Sequence, residues 1–226
     1  MPQKRAQLTP AVEDYVKAVY SLETEEENGA TTTALAERLG VQPGSVSGMV
    51  RKLVKLGLAR HQPYHGIELT PAGRRVALEV IRHHRLLELY LVESLGMSWD
   101  EVHDEAEVLE HVLSEELEGL IAAKLGHPTT DPHGDPIPTA ELRLARDDSC
   151  RLYDLAPGDA GTFVRVSDAD PAMLRFLAER GIVPGTRLRV VERQPFDGPL
   201  TVKLNGGQEV LGAVLARAMR VSEDKR

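Results

Sequence analysis

Apolar residues in the first third of the chain recur three and four positions apart. Val12, Val16, Val19 and Leu22 follow Thr9-Pro10, a pair suited to an N-cap and first helical position, so the pattern predicts a helix from Pro10 that ends in the acidic turn leading to Gly29. Thr31, Thr32 and Thr33 can cap a short second helix that Gly40 stops, and Pro43-Gly44-Ser45 opens a third that Gly57 ends. Two short helices joined by a glycine-containing turn predict a helix-turn-helix. The next segment, Leu58 to Thr70, reads as two short strands around a Pro63–Gly66 loop, which is a wing. From about Val76 the helical period returns, with Leu86, Leu87, Leu89, Tyr90 and Leu91 supplying more apolar surface than one small hairpin needs, and a dimer interface is the use expected for it. A further helix is expected to carry residues 103–111 and to continue to about Leu125. Beyond Ser149 the period falls to two: Gly161–Val166, Thr186–Arg193 and Leu200–Leu204 read as strands separated by Pro-Gly and Asp-Gly-Pro turns, with one helix near Met173–Glu179. That predicts a small SH3-like barrel.

The fold class expected is mainly α with a β-containing C-terminal part. Its parts are a winged-helix DNA-binding domain at 1–75, a helical metal-binding and dimerisation domain at 76–126, a Pro-rich linker at 127–148 and an SH3-like domain at 149–226.

Composition excludes several classes. A length of 226 residues allows one large or two to three small domains, and 42% hydrophobic with 27% charged residues is ordinary for globular protein. No apolar run approaches the roughly 20 residues a membrane span requires. The N-terminus has no apolar signal core, and Cys150 is the single cysteine, so a reducing, cytoplasmic location is expected. Cys150 reads as inert.

The net charge of −8 conceals a division. Between Val41 and Arg85, eight basic residues (Arg51, Lys52, Lys55, Arg60, Arg74, Arg75, Arg82, Arg85) against two acidic ones give a local +6, whereas Asp100 to Glu118 holds nine acidic residues and no Lys or Arg. The first block suits phosphate and the second suits cations.

In the third helix, Gly44, Ser45, Ser47 and Gly48 make a small, polar first turn that can approach base edges. Val46, Met49, Val50 and Leu53 anchor the opposite face, while Arg51, Lys52 and Lys55 can meet phosphates. Thr32, Gln42, Pro43 and Arg60 complete the expected DNA-binding set. Small residues at the tip imply modest direct readout and a substantial contribution from DNA shape.

The acidic block contains His103-Asp-Glu-Ala-Glu107-Val-Leu-Glu110-His111. On a helix, His103, Glu107, Glu110 and His111 share a wedge of about 100°, a donor set for a divalent transition metal, with Val102, Ala106, Val108, Leu109 and Val112 opposite for packing. His84 and Glu88 form a second pair at i, i+4. His127, Asp131, His133 and Asp135 in the linker carry ligand chemistry on an irregular segment, and His61, His65 and His83 read as surface or wing residues.

This order of parts resembles the diphtheria-toxin-repressor family of metal-dependent transcriptional regulators over essentially the whole chain. The resemblance rests on Thr9–Tyr15, His84–Glu88, His103–His111 with Val112–Ser114, and Gly134–Pro138. It implies two metal sites. Glu107, Glu110 and His111 with Asp14 match the regulatory site, and His84, Glu88 and His103 match an ancillary site, completed from the SH3-like domain with Asp170 as the nearest ligand by an ungapped count. Carboxylates at Asp14 and Glu107 point to Mn(II) ahead of Fe(II). Lys17 departs from the manganese-type pattern, which has a carboxylate there. An ammonium cannot ligate, so two separated sites are expected rather than a binuclear pair. The family also implies a homodimer on a palindromic DNA operator, no membrane and no organic ligand. The expected mechanism is that, without metal, facing carboxylates repel and the winged helix can swing.

The rival readings are weaker. A metal-assisted hydrolase would need a general base beside an open cleft, and no motif supplies one, so no enzyme activity is expected. A winged-helix repressor with an organic effector, or an SH3-like module binding Pro-rich peptides, would need aromatic surface that a 4% aromatic content does not provide.

Overall fold

The computed structural model describes residues 8–25, 29–62, 66–168, 170–204 and 206–224. The chain divides into two compact units. One comprises the residues up to His84 with 109–113 and 138–144; the other comprises 85–108, 114–137 and 145–226.

In the first unit, Pro10 opens α1 (Pro10–Glu25). Thr31 caps α2 (Thr32–Leu39), its hydroxyl accepting from the Ala34 N–H at 3.1 Å, and Gly40, at φ 63°, closes it. The third helix, α3 (Pro43–Lys55), has Pro at its start. It leads to β1 (Ala59–Gln62) and β2 (Gly66–Leu69), paired antiparallel from Ala59↔Leu69 to Gln62↔Gly66. The expected wing tip, Pro63 to His65, lies outside the described residues. The apolar stripes meet as expected: Val12, Val16, Val19 and Leu22 pack with Leu35, Val46, Leu53 and Ile67 in one core. Glu23 binds this core to the wing by accepting from the Leu69 N–H at 2.7 Å while pairing with Arg74 at 2.6 Å.

The next helix starts earlier than its period suggested. α4 runs Pro71–Leu95, with Thr70 accepting from the Gly73 N–H at 3.1 Å, so the local cap and Pro71 define the start rather than the first regular apolar residue. The expected unbroken helix carrying residues 103–111 and continuing to about Leu125 is corrected. α5 (Val102–Leu109) stops at Leu109, a turn holds Glu110 and His111, and Ser114 caps a separate α6 (Glu115–Lys124). Glu115, Glu116 and Glu118 in the first turn of α6 suit the positive end of its dipole, which rewards a new start.

In the second unit, β3 (Cys150–Arg151), β4 (Ala160–Val166), α7 (Pro171–Ala178), β5 (Arg187–Arg193), β6 (Leu200–Leu204), β7 (Gly207–Leu211), α8 (Ala213–Ala218) and β8 (Met219–Glu223) form the SH3-like barrel. Its six antiparallel strands are ordered β3-β8-β4-β5-β6-β7. Phe163, Leu188, Val190, Leu200 and Val202 alternate inward to its core. The pattern revealed β4, β5 and β6; β3, of two residues, and the short strands β7 and β8 on either side of α8 were missed.

The Pro-rich stretch is not an irregular tether over 127–137. Asp131 Oδ1 accepts from the His133 and Asp135 N–H groups, both at 2.9 Å, and the His133 carbonyl accepts from Val166 N–H on β4 at 3.0 Å. Gly134 (φ 89°) is required there, since a Cβ would lie 1.8 Å from the Val164 carbonyl oxygen.

Candidate metal centres and nucleic-acid interface

One group of metal-capable side chains lies wholly within the first unit. Asp14 comes from α1, and Glu110 and His111 come from the turn after α5; their ligand atoms lie within 4.8 Å of one another. His111 Nδ1 lies 2.7 Å from Glu13 Oε2 and its Nε2 lies 2.9 Å from Asp14 Oδ1. With the Nδ1–H donated to Glu13, Nε2 is the atom that can offer a lone pair to a cation, the orienting arrangement common to metal-bound histidines. Glu13 was missed by the sequence reading; as the neighbour of Asp14 it carried no spacing signal of its own.

Glu110 is fully buried at its side chain. Lys17 Nζ donates to both its oxygens, at 2.8 and 2.9 Å, and His84 Nδ1 lies 2.6 Å from Oε2. Burial pushes the Glu110 carboxyl up, but the His84 hydrogen bond and the Lys17 charge outweigh it and hold it below the usual carboxylate range. The expected mutual repulsion of bare carboxylates is therefore corrected: Glu110 is already neutralised by groups of the chain. His83, expected at the surface, is buried, with Nδ1 3.1 Å from the Glu110 carbonyl oxygen.

A second group lies wholly within the other unit. Glu88 is buried on α4, His103 Nδ1 is 3.4 Å from Glu88 Oε1, and His133 Nδ1 is 3.6 Å from Glu88 Oε2. Ligand atoms of Glu88, Asp131 and His133 fall within 4.8 Å of one another. His133 Nε2 lies 2.6 Å from the Trp99 carbonyl oxygen, so its N–H is committed there and Nδ1 faces the carboxylates. Asp170 is not at this cluster; it caps α7, accepting from the Ala172 N–H at 2.9 Å, while Asp168 stands 3.0 Å from His103. The ungapped count that pointed to Asp170 carried no sign that the Asp170-Pro171 pair is a helix start. Asp131 and His133 were visible as ligand types but unassigned, since nothing local said that their loop is packed.

Electrostatics in this second cluster favour protons. Hydrogen bonds to Asp168 and then Glu88 push His103 up to about 10, against burial. Burial works against a charged His133, yet Glu88 lifts it to about 9. Burial, with the charges of Asp135 and Glu88, raises the Asp131 carboxyl well above its usual value. Glu107 lies in the same unit, 3.8 Å from His103 and half-exposed.

The reader helix has the division of faces expected of it. Gln42, Pro43, Gly44, Ser45, Ser47, Gly48, Arg51, Lys52, Lys55 and Arg60 are exposed, whereas Val46, Val50 and Leu53 are buried. Thr32 is half-buried in the first turn of α2. The apolar residues of α4 are corrected: Leu86, Leu87, Leu89 and Leu91 are buried within the chain. Among the exposed apolar residues, Val108 (69%), Leu109, Val112 (77%), Leu117 and Leu120 (63%) fall around the break between α5 and α6. Among the described residues, no helix is long and apolar enough to cross a membrane.

Comparison with known proteins agrees with this architecture in all three parts. Residues 7–67 match the iron-dependent repressor N-terminal DNA-binding domain, residues 70–139 the iron-dependent repressor metal-binding and dimerisation domain, and residues 150–223 the FeoA domain. The iron-dependent repressor IdeR of Mycobacterium tuberculosis is 35% identical over 96% of this chain and 99% of its own length. The diphtheria toxin repressor of Corynebacterium diphtheriae is 31% identical over 96% and 98%. Among solved structures, a manganese-dependent transcriptional repressor in complex with manganese superposes with a TM-score of 0.88 at 44% identity, over 94% of this chain and 99% of that one. With a winged helix, a helical segment rich in metal donors and an SH3-like barrel matched along nearly its full length, the chain belongs to the diphtheria-toxin-repressor family of metal-dependent transcriptional repressors.

Proposed function

We propose that this protein is a Mn(II)-responsive repressor of metal-homeostasis genes, acting in the cytoplasm as a homodimer on a palindromic operator. The observation that carries the metal assignment is the donor set of Asp14, Glu110 and His111: two hard carboxylates and one oriented imidazole suit Mn(II), and also Fe(II). A cation held there by Asp14, Glu110 and His111 would tie α1 directly to the Glu110–His111 turn. Asp14 sits on α1, whose apolar face supports α3, so joining Asp14 to the Glu110–His111 turn favours one placement of the reader helix. Glu107 is retained as a further donor on sequence grounds, as is His84 in the expected ligand set. Val108, Leu117 and Leu120 support dimerisation, because so much exposed apolar surface calls for a partner.

Fluorescence anisotropy on a promoter fragment, in chelator and then with Mn(II), anoxic Fe(II) or Zn(II), tests this reading. Binding that appears at micromolar Mn(II) and is lost in chelator is expected; equal binding throughout would reduce both clusters to structural features. The Fe(II) reading is favoured by the iron-dependent relatives, and the anoxic titration separates it from the Mn(II) one.

Lys52 is exposed on α3 and is assigned a phosphate contact. Lys52→Ala is expected to weaken binding to all sequences alike and to reduce the slope of log K against log salt by about 1. A sequence-dependent loss with an unchanged slope would place Lys52 at the bases instead.

Glu88, Asp131, His133, His103 and Asp168 are proposed as the second cation site. At pH 7 its two imidazoles hold protons, which a bound metal must expel. Affinity there should rise with pH towards the 9 to 10 range, and calorimetric heats at pH 7 should differ between buffers of different ionisation enthalpy. Identical heats would remove these histidines from the ligand set.

A further inference from the structure

Glu110 is the deepest carboxylate of the first metal cluster, and its accessible side-chain surface is nil. A buried carboxylate without a counter-charge is strongly unfavourable, so its partners say which state the fold is built for. Lys17, one turn after Asp14 on α1, places its ammonium on both carboxylate oxygens at once. The ammonium thus engages the oxygen of Glu110 nearer His111, since Glu110 Oε1 is both the atom 2.8 Å from Lys17 Nζ and the atom 3.7 Å from His111 Nε2. The Lys17 side chain remains 18% exposed, so a flexible stem leads from the buried cluster to water.

We infer that Lys17 is a tethered counterion that competes with the metal for Glu110 and sets the metal concentration at which this site loads. The inference rests on Asp14, Glu110 and His111 being the metal ligands. In the metal-free chain the ammonium satisfies Glu110 and holds the cluster assembled. Once a divalent cation takes Glu110 Oε1, the same ammonium is a like charge a few ångströms away and must swing towards solvent. Lys17 therefore stabilises the metal-free state more than the loaded one, which lowers affinity by the difference. A carboxylate at this position would instead recruit a second cation. The lysine makes the site a single-ion sensor with a raised threshold.

The test is an EPR titration of free Mn(II) against the full-length protein without DNA, following the class of sites that Asp14→Ala removes. Lys17→Met keeps the stem and deletes the charge; Lys17→Arg keeps the charge. Lys17→Met is expected to tighten this class by about tenfold or more and to lower the metal-free thermal midpoint, with Mn(II) restoring it. Lys17→Arg should bind no tighter than the wild type, and this variant keeps the inference exposed to failure if Lys17→Met does not fold without metal. Unchanged or weaker binding in Lys17→Met, or tightening in Lys17→Arg, overturns the inference while leaving the ligand assignment intact. Absence of any Asp14-dependent class in the wild type overturns the assignment and the inference with it.

Discussion

Replacing Asp14 with alanine should remove the metal response of DNA binding while leaving the fold intact. Asp14 is the one donor of the first cluster that α1 contributes, and α1 packs directly under the reader helix through Val12, Val16 and Val19. Metal coupling of about 1–3 kcal/mol, or 5–150-fold in affinity, is the usual scale for such linkage, and the variant should lose nearly all of it. Its stability in chelator should stay within about 0.5 kcal/mol of wild type, because the Asp14 side chain is 36% exposed and its removal opens no cavity. Anisotropy in chelator and in Mn(II), with urea unfolding of the same samples, reads both quantities. Metal-stimulated binding that survives in Asp14→Ala would sink the coupling mechanism.

Glu110→Ala is expected to be far more damaging, and in a different way. The change removes the carboxylate that takes two hydrogen bonds from the Lys17 ammonium and that His84 Nδ1 faces at 2.6 Å. Breaking a buried pair from one side costs about 3–5 kcal/mol; since Lys17 can partly reach water, the lower figure of about 3 kcal/mol applies. The loss should appear in urea unfolding in chelator, before any metal is considered, and Mn(II) should not restore it. A metal-free stability equal to wild type would mean that the Lys17–Glu110–His84 contacts do not persist in solution. Comparing the two variants separates a residue that serves the metal from one that serves both the metal and the fold.

Much of this molecule is legible in its sequence, for identifiable reasons. The winged helix reads clearly because its signals are local and mutually consistent: a Thr31 cap, Gly40 at a left-handed position, Pro43 at the start of α3, and apolar spacing that buries Val46, Val50 and Leu53. The presence of side chains that could hold a cation also reads from the sequence, because His and carboxylate residues at helical spacing are uncommon in a plain core. Errors entered where long-range packing overrides local pattern. The period of residues 103–111 is helical, yet the chain turns at Glu110, and His111 reaches Asp14 from that turn rather than from a helix face. Leu86, Leu87, Leu89 and Leu91 looked like a surface awaiting a partner, but the chain itself covers them.

Sequence alone determined the reader helix, the barrel and the residue types that can hold a cation, since each depends on periodicity, caps and side-chain chemistry within a few residues. Tertiary structure decided which donors meet. It brought Asp131 and His133 to Glu88 through a loop that only Gly134 lets approach β4, placed Asp168 rather than Asp170 beside His103, and set Lys17 against Glu110. Contacts between residues far apart in the chain, among them Lys17 and Glu110, depend on how separate elements pack, and no periodicity encodes that distance.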